Sequence, residues 1–145
     1  MIDGIERKIY RINFLANTID ALYHQAAKSL GVADSVLYIL YMVHSNGASC
    51  PLSDLYKISA ISKQTINSAI RKLEAEGDIY LKKHDGKSKI VCLTDKGRNY
   101  TRETAEKLLA AEGAAFADWS VEELDTYLHL IEKHVASLRQ QFGRL

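Results

Sequence analysis

From Ile5 to Leu30, apolar residues recur at alternating steps of four and three: Ile5, Ile9, Ile12, Ala16, Ile19, Tyr23, Ala26 and Leu30. This is the spacing of a heptad seam, so the first thirty residues are expected to form one long helix whose apolar stripe needs covering. Gly31 is a natural stop, because a left-handed residue past a helix end costs glycine little. The other end of the chain is written in the same way, with Val121, Leu124, Leu128, Ile131, Val135, Leu138 and Phe142. Its start is marked too: Ser120 can accept from the amide of Glu123 while Glu123 reaches back, and Trp119 can staple onto Leu124. The two seams either face one intramolecular core or pack together and then against the same helices of a second copy. Phe14, Leu15 and Leu22 lie off the first seam, and a helix apolar on more than one side needs more than one neighbour.

Length favours one domain over residues 1–145, with room for a second only if both are small. The chain's 145 residues, 47% apolar and 26% charged, sit in the ordinary globular range, which excludes a disordered or fibrous chain. No apolar run approaches the ~18 residues that a spanning helix requires, and Met1 to Lys8 lacks the pattern of a signal peptide. Cys50 and Cys92 are too few and too scattered for a disulfide framework or a paired-cysteine metal site. A reducing, cytoplasmic compartment is the expectation.

Asp34 to Asn46 reads as a central, buried helix, capped by Asp34 and ended by Asn46-Gly47. Pro51 suits the first turn of the next helix, where Leu52, Leu55 and Ile58 form the inner face. After a short break Ser62 caps another helix, which runs to Glu76 and stops at Gly77. Then the period switches from helix to strand. Ile79 to His84 and Lys89 to Thr94 are two β-prone runs joined by Asp85-Gly86-Lys87-Ser88, which reads as a hairpin. Thr94 can cap a further long helix, Asp95 to Phe116.

A short helix, a tight turn and a second capped helix make a helix-turn-helix, in which the second helix enters the DNA major groove. At ~100° per residue, Ile66, Ala69, Ile70 and Leu73 fall on one side of that second helix. The opposite side shows Gln64, Asn67, Ser68, Arg71 and Ala75, flanked by Lys63 and Lys72. Amides match the donor–acceptor edge of adenine and Arg matches the two acceptors of guanine, and the helix N-terminus with Ser62 and Thr65 favours a nearby phosphate. A solvated polar face on any helical domain would carry a similar pattern.

The charge distribution sharpens this reading. The chain has a net charge of only +1. Residues 60–100, however, hold nine Lys/Arg against five acids, a net of +4, while residues 101–145 hold five against eight, a net of −3. Lys82, Lys83, Lys87 and Lys89, with His84, crowd the hairpin tip. Like charges this close repel. They fit a wing lying on phosphates, or lysines that guard a sheet edge against aggregation.

The order of elements, the segment Ser62 to Gly77 and the close Val91-Cys92-Leu93-Thr94-Asp95-Lys96-Gly97 resemble the MarR (multiple antibiotic resistance regulator) winged-helix family over essentially the whole chain. The Leu-Thr-x-x-Gly ending after a charged hairpin is the most specific piece. The resemblance implies a mainly α fold with a small β-hairpin wing. In it, residues 33–97 form the winged helix-turn-helix, and residues 1–32 and 98–145 a helical dimerisation region. It further implies a homodimer on a pseudo-palindromic operator in double-stranded DNA, usually a repressor released by a small ligand or by oxidation. One position departs from the family pattern: where the wing usually carries Asp-x-Arg, this chain has Asp85-Gly86-Lys87. Lysine keeps the charge but lacks the guanidinium fork, which favours phosphate contact over base-reading insertion.

The DNA-contacting set expected on these grounds is Ser62, Lys63, Gln64, Thr65, Asn67, Ser68, Arg71, Lys72, Lys82, Lys83, Lys87 and Lys89. Tyr10, Tyr23, His24, Tyr38 and Tyr41, with His44, lie on helices that would line the family's effector pocket and suit a phenolic or carboxylate ligand; the plainer reading is core tyrosine with its hydroxyl at the surface. The five histidines are too spread out for a metal site. Cys50, before Pro51 at a helix start, could have a lowered thiol pKa and act as a redox sensor; the plain reading is a small residue at a cap. No Gly-rich phosphate loop, nucleophile elbow or paired-acid constellation is present, so neither an enzyme nor a cofactor is expected. The competing function is a helical dimerisation or adaptor module with a vestigial helix-turn-helix.

Overall fold

A computed structural model of the chain describes residues 2–58 and 60–145, without the side chains of Ile2, Asp3 and Ile58. The placement of Ile58 on an inner helix face therefore lies outside the described residues. Two compact units are present, residues 1–109 and 110–145.

The first unit opens with α1 (Ile2–Ser29), followed by α2 (Asp34–Ser45), β1 (Ser49–Pro51), α3 (Leu52–Ile58), α4 (Lys63–Ala75), β2 (Ile79–Lys83), β3 (Lys89–Leu93) and α5 (Asp95–Glu103). α6 (Ala105–Ala115) spans the boundary, and α7 (Val121–Phe142) belongs to the second unit.

The core of the first unit is built around α2, whose Ile39, Leu40 and Val43 are fully buried against Leu55 of α3, Ile66 and Leu73 of α4, Ile79 of β2 and Val91 of β3. Each such side chain contributes roughly 1.5–3 kcal/mol of burial. This is why so apolar a segment as α2 had to be central. Among the described residues α1 joins the core near its end, through Ala27, and the partly buried Leu30 follows just after it. The seam residues Ile5, Ile9, Ile12 and Ile19 are exposed, and so are Phe14, Leu15 and Leu22.

Three local expectations are corrected. Asp34 does not cap α2: the cap position is Ala33, with no side-chain bond, and Asp34 instead lies 2.7 Å from Nδ1 of His24. Pro51 is not in a helical first turn. It ends β1, an edge strand antiparallel to β3 in a sheet of order β1-β3-β2, with Ser49, Cys50 and Pro51 opposite Cys92, Val91 and Ile90. An edge place is the one a sheet can give a residue that lacks an N–H. The helix expected from Asp95 to Phe116 is broken at Thr104 (φ −127°, ψ −85°). The Thr101 and Thr104 hydroxyls donate to the carbonyls of Gly97 and Tyr100, each four residues back, and such back-bonding competes with the helical ladder and bends it.

In the second unit α7 starts with the expected reciprocal cap. Ser120 Oγ accepts from Glu123 N, and Glu123 Oε1 accepts from Ser120 N, both at 3.0 Å. The Trp119 ring meets Phe116 and Tyr127 edge-on at 4.9 and 5.4 Å. No residue of α7 is buried, and Leu124, Leu128, Ile131 and Val135 lie open. Among the described residues no single helix is long and apolar enough to cross a membrane.

Candidate nucleic-acid interface

α4 begins at Ser62, which adopts an extended backbone (φ −62°, ψ 149°) and accepts from Thr65 N at 3.1 Å. This satisfies one of the orphan amides of the first turn. Its inner face, Ile66, Ala69, Ile70 and Leu73, is buried. That burial fixes the rotation of the helix about its axis, and the rotation decides which side chains face outward. Lys63, Gln64, Thr65, Ser68, Arg71 and Lys72 are exposed. Along the outer face Ser68 Oγ donates to Gln64 O at 3.0 Å, and Arg71 Nη2 lies 3.4 Å from Ser68 Oγ, at the weak end of hydrogen bonding.

Asn67 differs from its neighbours. It is only partly exposed, and its Oδ1 accepts a hydrogen bond from the phenol of Tyr56 on α3. The same Tyr56 ring carries the Lys63 ammonium 4.9 Å from its centroid, a cation–π distance. Tyr56 is the residue that sequence reasoning missed. It stands eleven positions before Asn67 on another helix, so no local spacing announced the contact.

α4 ends at Gly77 (φ +77°), and there the next elements are tied to it. Asp78 N returns to Leu73 O at 2.9 Å. Thr94 Oγ1 donates to Gly77 O at 2.6 Å and accepts from Gly97 N at 3.0 Å, capping α5. Lys96 Nζ donates to Glu76 O. The Leu-Thr-x-x-Gly close therefore fastens the base of the hairpin to the end of α4. Asp78 itself is buried, and burial pushes its carboxyl pKa up, with Lys96 opposing and Glu76 adding to the rise. Tyr100 beside it is pushed up by burial first, then by Asp78 and Glu76.

The hairpin runs from Ile79 opposite Leu93 to Lys83 opposite Lys89. Alternation puts Lys83 and Lys89 on the face that carries Ile79, Leu81, Val91 and Leu93 nearer the core, with Lys82 on the other face. His84 N to Ser88 O at 2.9 Å and Ser88 N to Asp85 O at 3.0 Å close the turn. Lys82, Lys83, Lys87 and Lys89 are all exposed, and among the described residues none of them is in an ion pair. Directly opposed lysines cost the isolated sheet stability, a cost that a polyanion would remove. Between the hairpin and the start of α4 lies a cleft of about 560 Å³, lined by Tyr56, Lys63, His84, Lys87 and Lys89 among others.

A helix with an outward face of amides, hydroxyls and Arg, followed by a strand pair rich in lysine and pinned to the end of that helix, is the winged helix-turn-helix arrangement. No family model and no curated protein matches the chain. Solved structures do. A MarR family regulator from Neisseria meningitidis superposes with a TM-score of 0.79 at 16% identity, covering 97% of both chains. The fold is that of MarR winged-helix regulators. A second MarR family regulator, from Listeria monocytogenes and complexed with a 26mer DNA, matches with a TM-score of 0.68 at 20% identity over 92% of this chain and 89% of that one. A Bordetella bronchiseptica protein, BpsR, whose DNA binding is regulated by 6-hydroxynicotinic acid, also matches, with a TM-score of 0.65 at 18% identity over 86% of this chain and 98% of that one. In this MarR-like fold the sequence-expected mainly α class and its small β wing are both present.

The residues expected to line an effector pocket lie on α1 and α2. Tyr10 and Tyr23 are exposed on α1, while Tyr38 and Tyr41 are partly buried against the core. His24 faces Asp34, and His44 Nδ1 lies 3.7 Å from Glu106. None of Tyr10, Tyr23, His24, Tyr38 or Tyr41 lines the hairpin cleft, the depression beside Asp78 or the cavity of about 220 Å³ at His44. Cys50 belongs to a strand that the sequence did not announce. It sits fully buried in β1, two residues ahead of the start of α3, and burial, with Asp54 adding to it, pushes its thiol pKa up. Reactive thiols are exposed and have lowered pKa values, so this site lacks what a redox sensor needs.

Proposed function

We propose that the chain is a sequence-specific DNA-binding transcriptional regulator that works as a homodimer. The observation that carries the reading is the pairing of the outward face of α4 with the lysine hairpin held at its far end. Gln64, Asn67, Ser68 and Arg71 read bases. Ser62, Thr65 and the six lysines Lys63, Lys72, Lys82, Lys83, Lys87 and Lys89 hold phosphates.

The exposed apolar stripes of α1 and α7 support the dimer, because seams this long are left open to water only where another surface covers them. Two-fold symmetry then sets two recognition helices on half-sites about 34 Å apart. The repressor role belongs to this proposal. So does release by a small phenolic or carboxylate effector that favours one spacing of the two helices over the other.

Selection of bound fragments from a random duplex pool, with sedimentation of the free protein, tests the reading. Enrichment of two inverted half-sites about one helical turn apart and a dimeric mass are expected. A dimer that enriches no sequence would leave the dimerisation or adaptor reading in its place, and a monomer would contradict the two-fold arrangement.

A further inference from the structure

We propose that Tyr56 is a positioning residue that sets which base Asn67 reads, an inference that rests on the DNA-binding reading above. The Tyr56 hydroxyl lies against Oδ1 of Asn67, on the side of α4 that faces α3. A carbonyl oxygen cannot donate, so the phenol proton occupies this bond. Oxygen and nitrogen of one amide diverge from the same carbon. Holding the oxygen on Tyr56 therefore turns the nitrogen away from α3, toward the side on which Gln64, Ser68 and Arg71 are exposed.

The chemical consequence is a change of code. An amide free to rotate presents one donor and one acceptor and pairs with adenine through N6 and N7. With its oxygen turned toward Tyr56, Asn67 presents the groove its two amide donors. Donors meet acceptors at N7 and O6 of guanine or O4 of thymine, whereas adenine offers N7 alone, next to its own N6 donor. Asn67 thus specifies a G or T at its position, where the residue type alone suggests A. The aromatic ring does a second, separable job by holding Lys63 over its face. Tyr56→Phe keeps that ring and removes only the hydroxyl.

The test compares base profiles selected by the full chain, by Tyr56→Phe and by Asn67→Ala from the same random duplex pool, with thermal melting to confirm that each variant folds. The wild-type chain is expected to prefer G or T at one position, and Asn67→Ala to flatten that position alone. Tyr56→Phe is expected to raise adenine there by about fivefold or more, the gain from a restored bidentate pair, and to leave the other positions unchanged. A Tyr56→Phe profile identical to wild type, while Asn67→Ala still flattens one position, would overturn the role of Tyr56 and leave the DNA-binding reading standing. A uniform loss of affinity without a change of preference would also overturn it, since that is what loosened packing does. If the wild-type chain enriches no sequence, both readings fall together.

Discussion

Gly97 lies so close to the backbone of Asp78 that a Cβ on it would come 1.8 Å from the Asp78 carbonyl oxygen. No side-chain rotation relieves such a contact, because the obstacle is main chain. The same carbonyl accepts from Thr94 N at 3.1 Å, so the turn after α4, the end of β3 and the first turn of α5 meet at one point. The glycine of the Leu-Thr-x-x-Gly close is therefore a steric requirement, imposed where the hairpin is tied to the recognition helix. Gly97→Ala should destabilise the fold by about 1–3 kcal/mol, read as a lower midpoint in chemical denaturation. An unchanged midpoint would mean that the two segments separate without cost.

Asp78 in the same knot carries a pH signature. Burial raises the folded-state pKa of its carboxyl above the ordinary carboxylate range. The folded chain consequently holds the proton more tightly than the unfolded one, and ionisation of Asp78 works against folding. This contribution favours the fold below about pH 4 and is lost as pH rises through the elevated folded pKa. Asp78→Asn should thus melt higher than wild type at pH 7, with the difference shrinking as pH is lowered toward 4. A constant difference across that range would show that the carboxyl is not the cause.

Two substitutions separate base reading from phosphate grip. Arg71→Ala should lower affinity for the preferred site by about 1–3 kcal/mol and relax discrimination at one base pair. Lys83→Ala should weaken binding to all sequences alike and reduce the slope of log affinity against log salt by about one. Competition binding with matched and mismatched duplexes at several salt concentrations distinguishes the two patterns.

Cys50 supplies a chemical check. Fully buried in β1 and with its thiol pKa raised, it should react far more slowly with a thiol alkylating reagent in the folded chain than after denaturation. Mild peroxide should leave DNA binding unchanged. Rapid native-state alkylation of Cys50 would restore the redox reading.

What could be read ahead of the structure followed physical scale. The cap at Ser62, the stop at Gly77 and the change of period at Ile79 are local signals carried by adjacent residues, and the structure bears them out. β1 was illegible because three residues ending in proline show no alternation, and its pairing of Cys50 with Val91 spans forty positions of chain. The break at Thr104 depends on hydroxyls choosing carbonyls four residues back, a competition that helix spacing alone does not display. At the candidate interface, the outward face of α4 followed from its period, whereas the hold of Tyr56 on Asn67 arises only when α3 and α4 pack together.

The account stands most directly on whether the chain binds duplex DNA through its basic surface. Titration of the full chain with random-sequence duplex across about 50 to 200 mM salt measures this with no knowledge of an operator. With six candidate phosphate-binding lysines per chain, affinity should fall by on the order of a thousandfold over that range. Absence of binding at about 50 mM salt, or binding indifferent to salt, would contradict it.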